Sequence, residues 1–257
     1  MELIEKENLI FKAGDTGIFL GKIKDNAQHQ HYALQLTIAV NDAFELTSEE
    51  GKRVAQSVVV HPQVPHQLDS RDQQVLVILF NPASAVGHFL HKHQTSQPVE
   101  EYDEEWIGYL RMFAQDLLKN EINEKTFLSA CINSMAEYNV RCLSAKHEVD
   151  KRILATLQYL DRHTRSVVSL EEMAEEMCLS ESRFQHLFKE HTGLSYRRMQ
   201  LWKRLVASFD QAKSVKTLTE LAHLSGFSDS AHYSKTFKES FGLRPSELFG
   251  NSQLILD

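Results

Sequence analysis

The sequence has few cysteines and no apolar run long enough to cross a membrane. Only three of its 257 residues are cysteine, and Cys131, Cys142 and Cys178 lack the paired short spacing of a zinc site or a redox motif. We interpret them as reduced, mostly buried thiols. The first residues, MELIEKENLI, carry three glutamates where a signal peptide would have its hydrophobic region. The sequence thus predicts a cytoplasmic protein without a membrane partner.

The composition is that of a globular protein, and its charge is divided along the chain. Hydrophobic residues make up 42% and charged residues 25%, which is typical of a soluble, well-cored protein. Residues 1–149 hold 13 Lys and Arg against 21 Asp and Glu, whereas residues 150–256 hold 15 against 13. This asymmetry indicates that only the second half meets a polyanion.

The two halves also differ in hydrophobic period. Short β-branched or alternating runs predict strands at 17–24, 31–40, 52–61 and 73–80. Residues 104–120 and 124–138 have helical stripes, and we expect these two helices to support homodimerisation. The predicted fold class is α+β: a small β-barrel with appended helices in 1–138, a linker at 139–149, and an all-α domain in 150–250.

The all-α domain contains an internal repeat. FKEHTGL at 188–194 returns as FKESFGL at 237–243, and the similarity extends upstream over a helix, a turn and a second helix. Serine or threonine stands where each helix would be N-capped, at Ser169, Ser180, Ser195, Thr217 and Ser228, and Ser169 with Glu172 has capping-box spacing. The pattern predicts helix-turn-helix units at about 169–193 and 217–242, because an all-α core has no need to repeat a capped corner.

The second helix of each predicted unit has an apolar face and a polar face. The polar faces carry small, amide, imidazole and cationic side chains, which suit base edges and phosphates in a major groove. A long helix, SYRRMQLWKRLVASFDQA, joins the units and adds Arg197, Arg198, Lys203 and Arg204. Two rigidly linked recognition helices would enter successive major grooves about 34 Å apart. The sequence therefore predicts double-stranded DNA as a partner.

At this point the sequence resembles the AraC-type (AraC/XylS) transcriptional regulators. Residues 150–250 are similar to their DNA-binding domain, most closely in LAHLSGFSDSAHYSKTFKESFGLRPSEL. The resemblance implies base contacts from the recognition helices, at Ser182, Gln185, His186, Ala231, His232 and Lys235. We expect phosphate contacts at Arg183, Lys189, Arg197, Arg198 and Lys238. It further implies a regulator controlled by a small-molecule effector, with no catalytic residues and no cofactor, and with RNA polymerase as a further partner.

The N-terminal half resembles, less strongly, the cupin-like sensor domain of many such regulators. The similar residues are His29-x-His31-x-x-x-Gln35 and PQVPH, which ends at His66. His29, His31 and His66 could hold a divalent metal ion through imidazole nitrogens, although Gln35 replaces the glutamate of enzymatic cupins. A metal-free effector pocket at His29, His31, Gln35 and His66 is the preferred interpretation, and a purely structural barrel is the third. A further cluster, His88, His91 and His93, is interpreted as a solvated helix face.

Two other function classes remain open from the residues. The first is a metal-dependent cupin enzyme with an accessory DNA-binding domain. The second is a helical module that binds protein, for which no salt dependence of the kind caused by counterion release is expected.

Overall fold

The computed structural model of the chain describes residues 8–14, 16–24, 26–82, 84, 86–87, 90, 97–101, 105–141, 150–250 and 252–256. Contacts divide the chain into two compact units, Met1–Leu143 with Phe237–Asp257, and Ser144–Thr236. His88, His91, His93 and Cys142 lie outside the described residues, as does most of the predicted linker.

The strands of the first unit form two sheets. Their bounds are β1 Asn8–Ala13, β2 Thr16–Gly21, β3 Leu34–Ala39, β4 Phe44–Ser48, β5 Gly51–Ala55, β6 Ser57–Val60, β7 His66–Asp69, β8 Val75–Phe80, β9 Val99–Glu101 and β10 Gln253–Leu256. The larger sheet has the order β10-β1-β2-β8-β3-β6-β9, and the smaller one β5-β4-β7. Strand β10 pairs in parallel with β1, and the other pairs are antiparallel.

The larger sheet is buried on both faces. Helices α1 (Glu105–Leu118) and α2 (Glu124–Arg141) cover one face, where Leu36 and Ile38 of β3 join Trp106 and Phe127 in one apolar cluster. The other face meets the smaller sheet in a second cluster, which includes Ala39 and Phe44. Because side chains alternate along a strand, Gln35 and Thr37 point to the same side as Ala39.

Residues 150–250 contain seven further helices. The bounds are α3 Lys151–Arg162, α4 Leu170–Glu176, α5 Glu181–Thr192, α6 Tyr196–Ala212, α7 Leu218–Leu224, α8 Ser230–Phe241 and α9 Pro245–Gly250. No helix within the described ranges has the length and apolarity needed to span a membrane.

The structure confirms the predicted fold class of a sheet-rich N-terminal region followed by a helical region. The strands pair as two sheets, and the pairings between described residues do not close into a barrel. Strand β10 was not predicted, because QLIL is four residues long and depends on β1 for its pairing.

Candidate functional site

The first helix-turn-helix unit has the predicted caps. Ser169 Oγ accepts a hydrogen bond from Glu172 N at 3.1 Å, and Glu172 Oε2 accepts one from Ser169 N at 2.8 Å, so the capping box is complete. In the turn, Leu179 N donates to Ala174 O at 2.9 Å. Helix α5 then starts after its cap Ser180 and ends at Gly193, whose φ of 74° is left-handed.

The second unit repeats this turn but changes the cap of its recognition helix. Phe227 N donates to Ala222 O at 2.9 Å, as the equivalent pair does in the first unit. Asp229 Oδ1, however, accepts from His232 N at 2.7 Å, while the Ser228 hydroxyl donates to Asp229 Oδ2. The prediction that Ser228 caps α8 was therefore wrong, since an inserted aspartate carries out that role.

The inserted residue fixes which positions of α5 and α8 are equivalent. Ser180 and Asp229, the two caps, are 49 residues apart, as are Phe188 and Phe237. Ser182 then corresponds to Ala231, and His186 to Lys235. In the same register Gln185 corresponds to Ser234, which is not among the predicted base-reading residues.

The aromatic side chains of α5 and α8 face inward. Phe184, Phe188, Tyr233 and Phe237 have no exposed surface, and the Tyr233 hydroxyl donates to Ser208 Oγ at 3.0 Å. The polar side chains face solvent: the structure exposes every predicted base-facing and phosphate-facing residue, namely Ser182, Gln185, His186, Ala231, His232, Lys235, Arg183, Lys189, Arg197, Arg198 and Lys238. The two helices thus present the predicted chemistry outward.

Two cations of α6 are buried. Lys203 Nζ lies 2.5 Å from Asp161 Oδ1, and Arg204 Nη1 donates to Gly226 O at 3.3 Å. Both side chains hold α6 against its neighbours, whereas Arg197 and Arg198 at the start of the same helix remain exposed.

The N-terminal unit brings the predicted histidines and Gln35 into one buried cluster. His29, His31 and His66 are at most 7% exposed, and one ring nitrogen of each lies within 4.8 Å of the others. Gln35 Oε1 lies 3.0 Å from His31 Nε2 and 3.3 Å from His66 Nε2. The cluster therefore joins residues from two separate parts of the sequence, 29–35 and the PQVPH segment.

Burial keeps these imidazoles neutral. Desolvation, and next the proximity of His31, lower the pKa of His29 to about 3. Desolvation likewise lowers the pKa of His31 and the pKa of His66. Each Nδ1 lies within 3.0 Å of a backbone carbonyl oxygen, of Ala27, Ala33 and Val64 respectively. Since a carbonyl only accepts, each neutral ring carries its proton on Nδ1 and its lone pair on Nε2.

This arrangement fits a transition-metal ion. Histidines that ligate metals in proteins usually donate their second ring N–H to a backbone carbonyl or a carboxylate, which fixes the ring and its tautomer. The cluster contains no carboxylate among the described residues, and its fourth polar group is the amide of Gln35. The donor set is accordingly three neutral imidazoles and one neutral oxygen.

A separate cavity of about 870 Å³ lies in the same unit. Its lining includes Asn8, Lys22, Asn26, Asp72, Lys238 and Glu247, but none of the three histidines. Lys24 Nζ and Lys22 Nζ lie 3.0 and 3.6 Å from Asp72 Oδ1. The structure thus separates the histidine cluster from the polar cavity, whereas the sequence predicted a single effector pocket at the histidines.

Known proteins similar to this chain are regulators. A helix-turn-helix domain family matches residues 173–251. The HTH-type transcriptional activator RhaS of Escherichia fergusonii is 32% identical over 107 residues, which cover 41% of this chain and 38% of RhaS. The probable transcriptional regulator LumQ of Photobacterium leiognathi is 23% identical over 87% of this chain and 92% of its own. The chain spans about half the length or less of two of its curated relatives.

The fold is also similar to a solved structure. The crystal structure of ToxT from Vibrio cholerae aligns with a TM-score of 0.59 at 13% identity, over 93% of this chain and 98% of ToxT. ToxT has in addition been crystallised with an unsaturated fatty acid bound. The repeated helix-turn-helix units and the matched family together identify residues 173–251 of this chain as a helix-turn-helix domain.

Proposed function

We propose that the chain is a sequence-specific DNA-binding transcriptional regulator that places α5 and α8 in successive major grooves. The observation that carries this proposal is the repeat itself: two capped helix-turn-helix corners, joined by α6, each with an exposed face of small, polar and cationic side chains. Since the chain must reach its DNA, we place it in the cytoplasm.

The exposed side chains divide into two roles. Ser182, Gln185 and His186 on α5, and Ala231, His232 and Lys235 on α8, read base edges. Arg183, Lys189 and Lys238, with Arg197 and Arg198 at the start of α6, contact phosphates. Because Ser182 and Ala231 are short, thymine methyl contacts and DNA deformability supply part of the specificity.

In this proposal the N-terminal unit binds a small-molecule effector. Support comes from the cavity of about 870 Å³ with a polar lining, and from the fatty acid bound in ToxT, whose fold is similar. Homodimerisation through α1 and α2 and contact with RNA polymerase complete the proposed set of partners. Tyr109 and Met112, which are 48% and 44% exposed on α1, are the side chains that a second copy would cover.

A metal-dependent enzyme is the rival function. The geometry of His29, His31 and His66 supports this function, because catalytic metal ions are often held by imidazole ligands. It is the weaker candidate, because the cluster is almost fully buried and leaves a substrate little access.

Selection of binding sites from random DNA tests the proposal. The full chain should enrich one sequence, and its affinity for that duplex should fall steeply with salt because phosphate contacts release counterions. Repeating the selection with candidate metabolites identifies the effector. Failure to enrich any sequence, or binding without salt dependence, would contradict the proposal and favour a protein-binding module.

A further inference from the structure

Strand β10 binds the edge of the larger sheet as a separate short peptide would. It lies in parallel beside β1, with Leu254 opposite Ile10 and Ile255 opposite Phe11. Leu254 is 8% exposed, and Ile255 packs against the apolar cluster that contains Phe11. A four-residue strand has no stability of its own, so its order depends on β1. Such a short pairing can open and close while the rest of the sheet stays folded.

The same strand is joined to the second recognition helix through α9. Only residues 251 and 252 separate α9 from β10. The ring centroids of Phe249 in α9 and Phe237 in α8 lie 5.6 Å apart. The pairing of β10 with β1 therefore restrains α9, and through the contact between these two rings it restrains the second half of α8.

Two backbone hydrogen bonds attach the end of α8 at another place. Ala27 N donates to Gly242 O at 2.9 Å, and Gln30 N donates to Glu239 O at 3.3 Å. The last carbonyl groups of a helix have no partner within the helix, so these bonds supply what the end of α8 lacks. From Phe237 onward the chain belongs to the first compact unit, whereas the earlier residues of α8 belong to the second. Helix α8 is thus shared between the two units.

The attachment also sets the surroundings of Lys238, a residue that we propose to contact a DNA phosphate. Lys238 lines the cavity of about 870 Å³ together with the carboxylate residues Asp72 and Glu247. Carboxylate groups around a cation lower the positive potential that attracts a phosphate. Lys238 therefore meets a phosphate more favourably once the end of α8 has left this cavity.

We propose that β10 is an intramolecular ligand of the β1 edge, and that it restrains DNA binding by holding the end of α8 beside the sheet until it detaches. The edge thus binds an extended apolar peptide, which the chain supplies itself as residues 253–256. The restraint rests on the proposed DNA-binding function, whereas the pairing of β10 with β1 does not.

Hydrogen exchange of the full chain, followed by mass spectrometry, tests the pairing. Leu254→Asp places a charge at a buried position and should detach β10, so that the β1 amides that face it exchange at least about tenfold faster. Gln253→Asp adds the same charge at the neighbouring, exposed position and should leave β1 protected. The amides of β3, which lies inside the sheet, should stay protected in both variants. Equal exchange of β1 in wild type and both variants would overturn the pairing.

The same two variants test the restraint on DNA binding. Leu254→Asp should bind the selected duplex about fivefold more tightly than wild type, because detachment of β10 no longer opposes binding. Gln253→Asp should bind as wild type does, and it controls for the added negative charge. An unchanged or weaker affinity of the Leu254→Asp chain, with β10 detached and β3 still protected, would overturn the restraint.

A disulfide between β1 and β10 keeps the test decisive if Leu254→Asp fails to fold. Lys12 and Leu256 are register partners, and neighbouring strands about 4.7–4.9 Å apart suit a disulfide. A chain with Lys12→Cys and Leu256→Cys should bind the duplex about fivefold more weakly when oxidised than when reduced, because β10 can no longer detach. Wild type treated with the same oxidant should not change.

Two results with the disulfide chain would contradict the inference. Failure of the two introduced thiols to form a disulfide under mild oxidation, checked by mass spectrometry, would overturn the pairing. Equal affinities of the bridged and the reduced forms would overturn the restraint.

The outcomes separate this inference from the proposed function. If no form of the chain binds DNA while Leu254→Asp still exposes the β1 amides, the proposed function and the restraint fail together and the pairing stands. If wild type binds the selected duplex, and Leu254→Asp changes neither the exchange of β1 nor the affinity, the inference fails and the proposed function stands.

Discussion

At the scale of single residues, the faces of α5 and α8 that would meet DNA differ in chemistry. Gln185 on α5 offers an amide, which pairs in bidentate fashion with adenine, and Lys235 on α8 offers a cation, which suits guanine. We expect Gln185→Ala or Lys235→Ala to weaken binding of the selected duplex by about 1–3 kcal/mol and to relax the preference at one base pair. Fluorescence anisotropy on matched and single-mismatch duplexes measures both effects. Equal losses on every duplex would show that neither residue reads a base.

Arg198 and Lys203 lie on the same helix but should behave differently. Arg198→Ala should weaken binding to all sequences alike and reduce the slope of log K against log salt by about 0.9, because one phosphate contact is lost. Lys203→Ala should leave the slope unchanged, since its ammonium group is buried against Asp161. A reduced slope in the Lys203 variant would contradict the placement of its side chain.

The contrast between these two cations also marks a limit of sequence reasoning. The apolar stripe of α6 could be predicted from its period, but the burial of Lys203 depends on Asp161, which lies 42 residues away. Likewise, the spacing of His29 and His31 indicated a shared face, whereas the hydrogen bond from Ala27 N to Gly242 O follows from tertiary structure alone.

At the scale of elements, the two turns of the repeat are unequally strained. Cys178 in the first turn has a φ of 54°, and Gly226 in the second has a φ of 78°. The left-handed conformation costs a non-glycine residue roughly 1–2 kcal/mol, and the greater freedom of glycine in the unfolded chain offsets about 0.5–1 kcal/mol of this. Cys178→Gly should therefore raise the free energy of unfolding by about 0.5–1 kcal/mol, measured by urea denaturation.

Gly226→Ala serves as the opposite variant. It should lower the free energy of unfolding, because alanine would have to adopt the left-handed φ of this position. Its Cβ would also lie 3.0 Å from Thr164 O. A stabilising effect of Gly226→Ala, or a destabilising effect of Cys178→Gly, would show that turn conformation is not what distinguishes these positions.

The cap of α8 gives a further prediction at this scale. Asp229→Ala removes the acceptor of His232 N and should lower the free energy of unfolding by about 0.5–2 kcal/mol. Ser228→Ala is the control and should have the smaller effect, as its hydroxyl only supports the Asp229 carboxylate. If Ser228→Ala proved the more damaging in urea denaturation, the cap would be assigned to the wrong residue.

The cap of α8 is Asp229 and not the predicted Ser228, and this difference shows what the repeat could and could not predict. Four caps, at Ser169, Ser180, Ser195 and Thr217, follow from local sequence because an N-cap bond spans only three residues. The fifth was wrong because Ser228 and Asp229 are both good caps, and local sequence does not decide between adjacent candidates.

At the scale of the whole molecule, the division into a sheet-rich and a helical region was predictable from hydrophobic period. Strand β3 could be predicted as a strand from LQLTIA alone. Its burial on both faces could not, because it depends on α1 and α2 on one side and on the smaller sheet on the other. Strand β10 depends on β1, more than 240 residues away along the chain. Pairings over such separations leave no local pattern.

The central claim is that one chain reads DNA with two recognition helices. Methylation interference on the selected duplex tests it most directly, because modified bases in the major groove block the contacts themselves. The account predicts two clusters of interfering bases about 10–10.5 base pairs apart, with Gln185→Ala removing the interference at one base pair of one cluster and Lys235→Ala at one base pair of the other. A single cluster, or two variants that act in the same cluster, would contradict it.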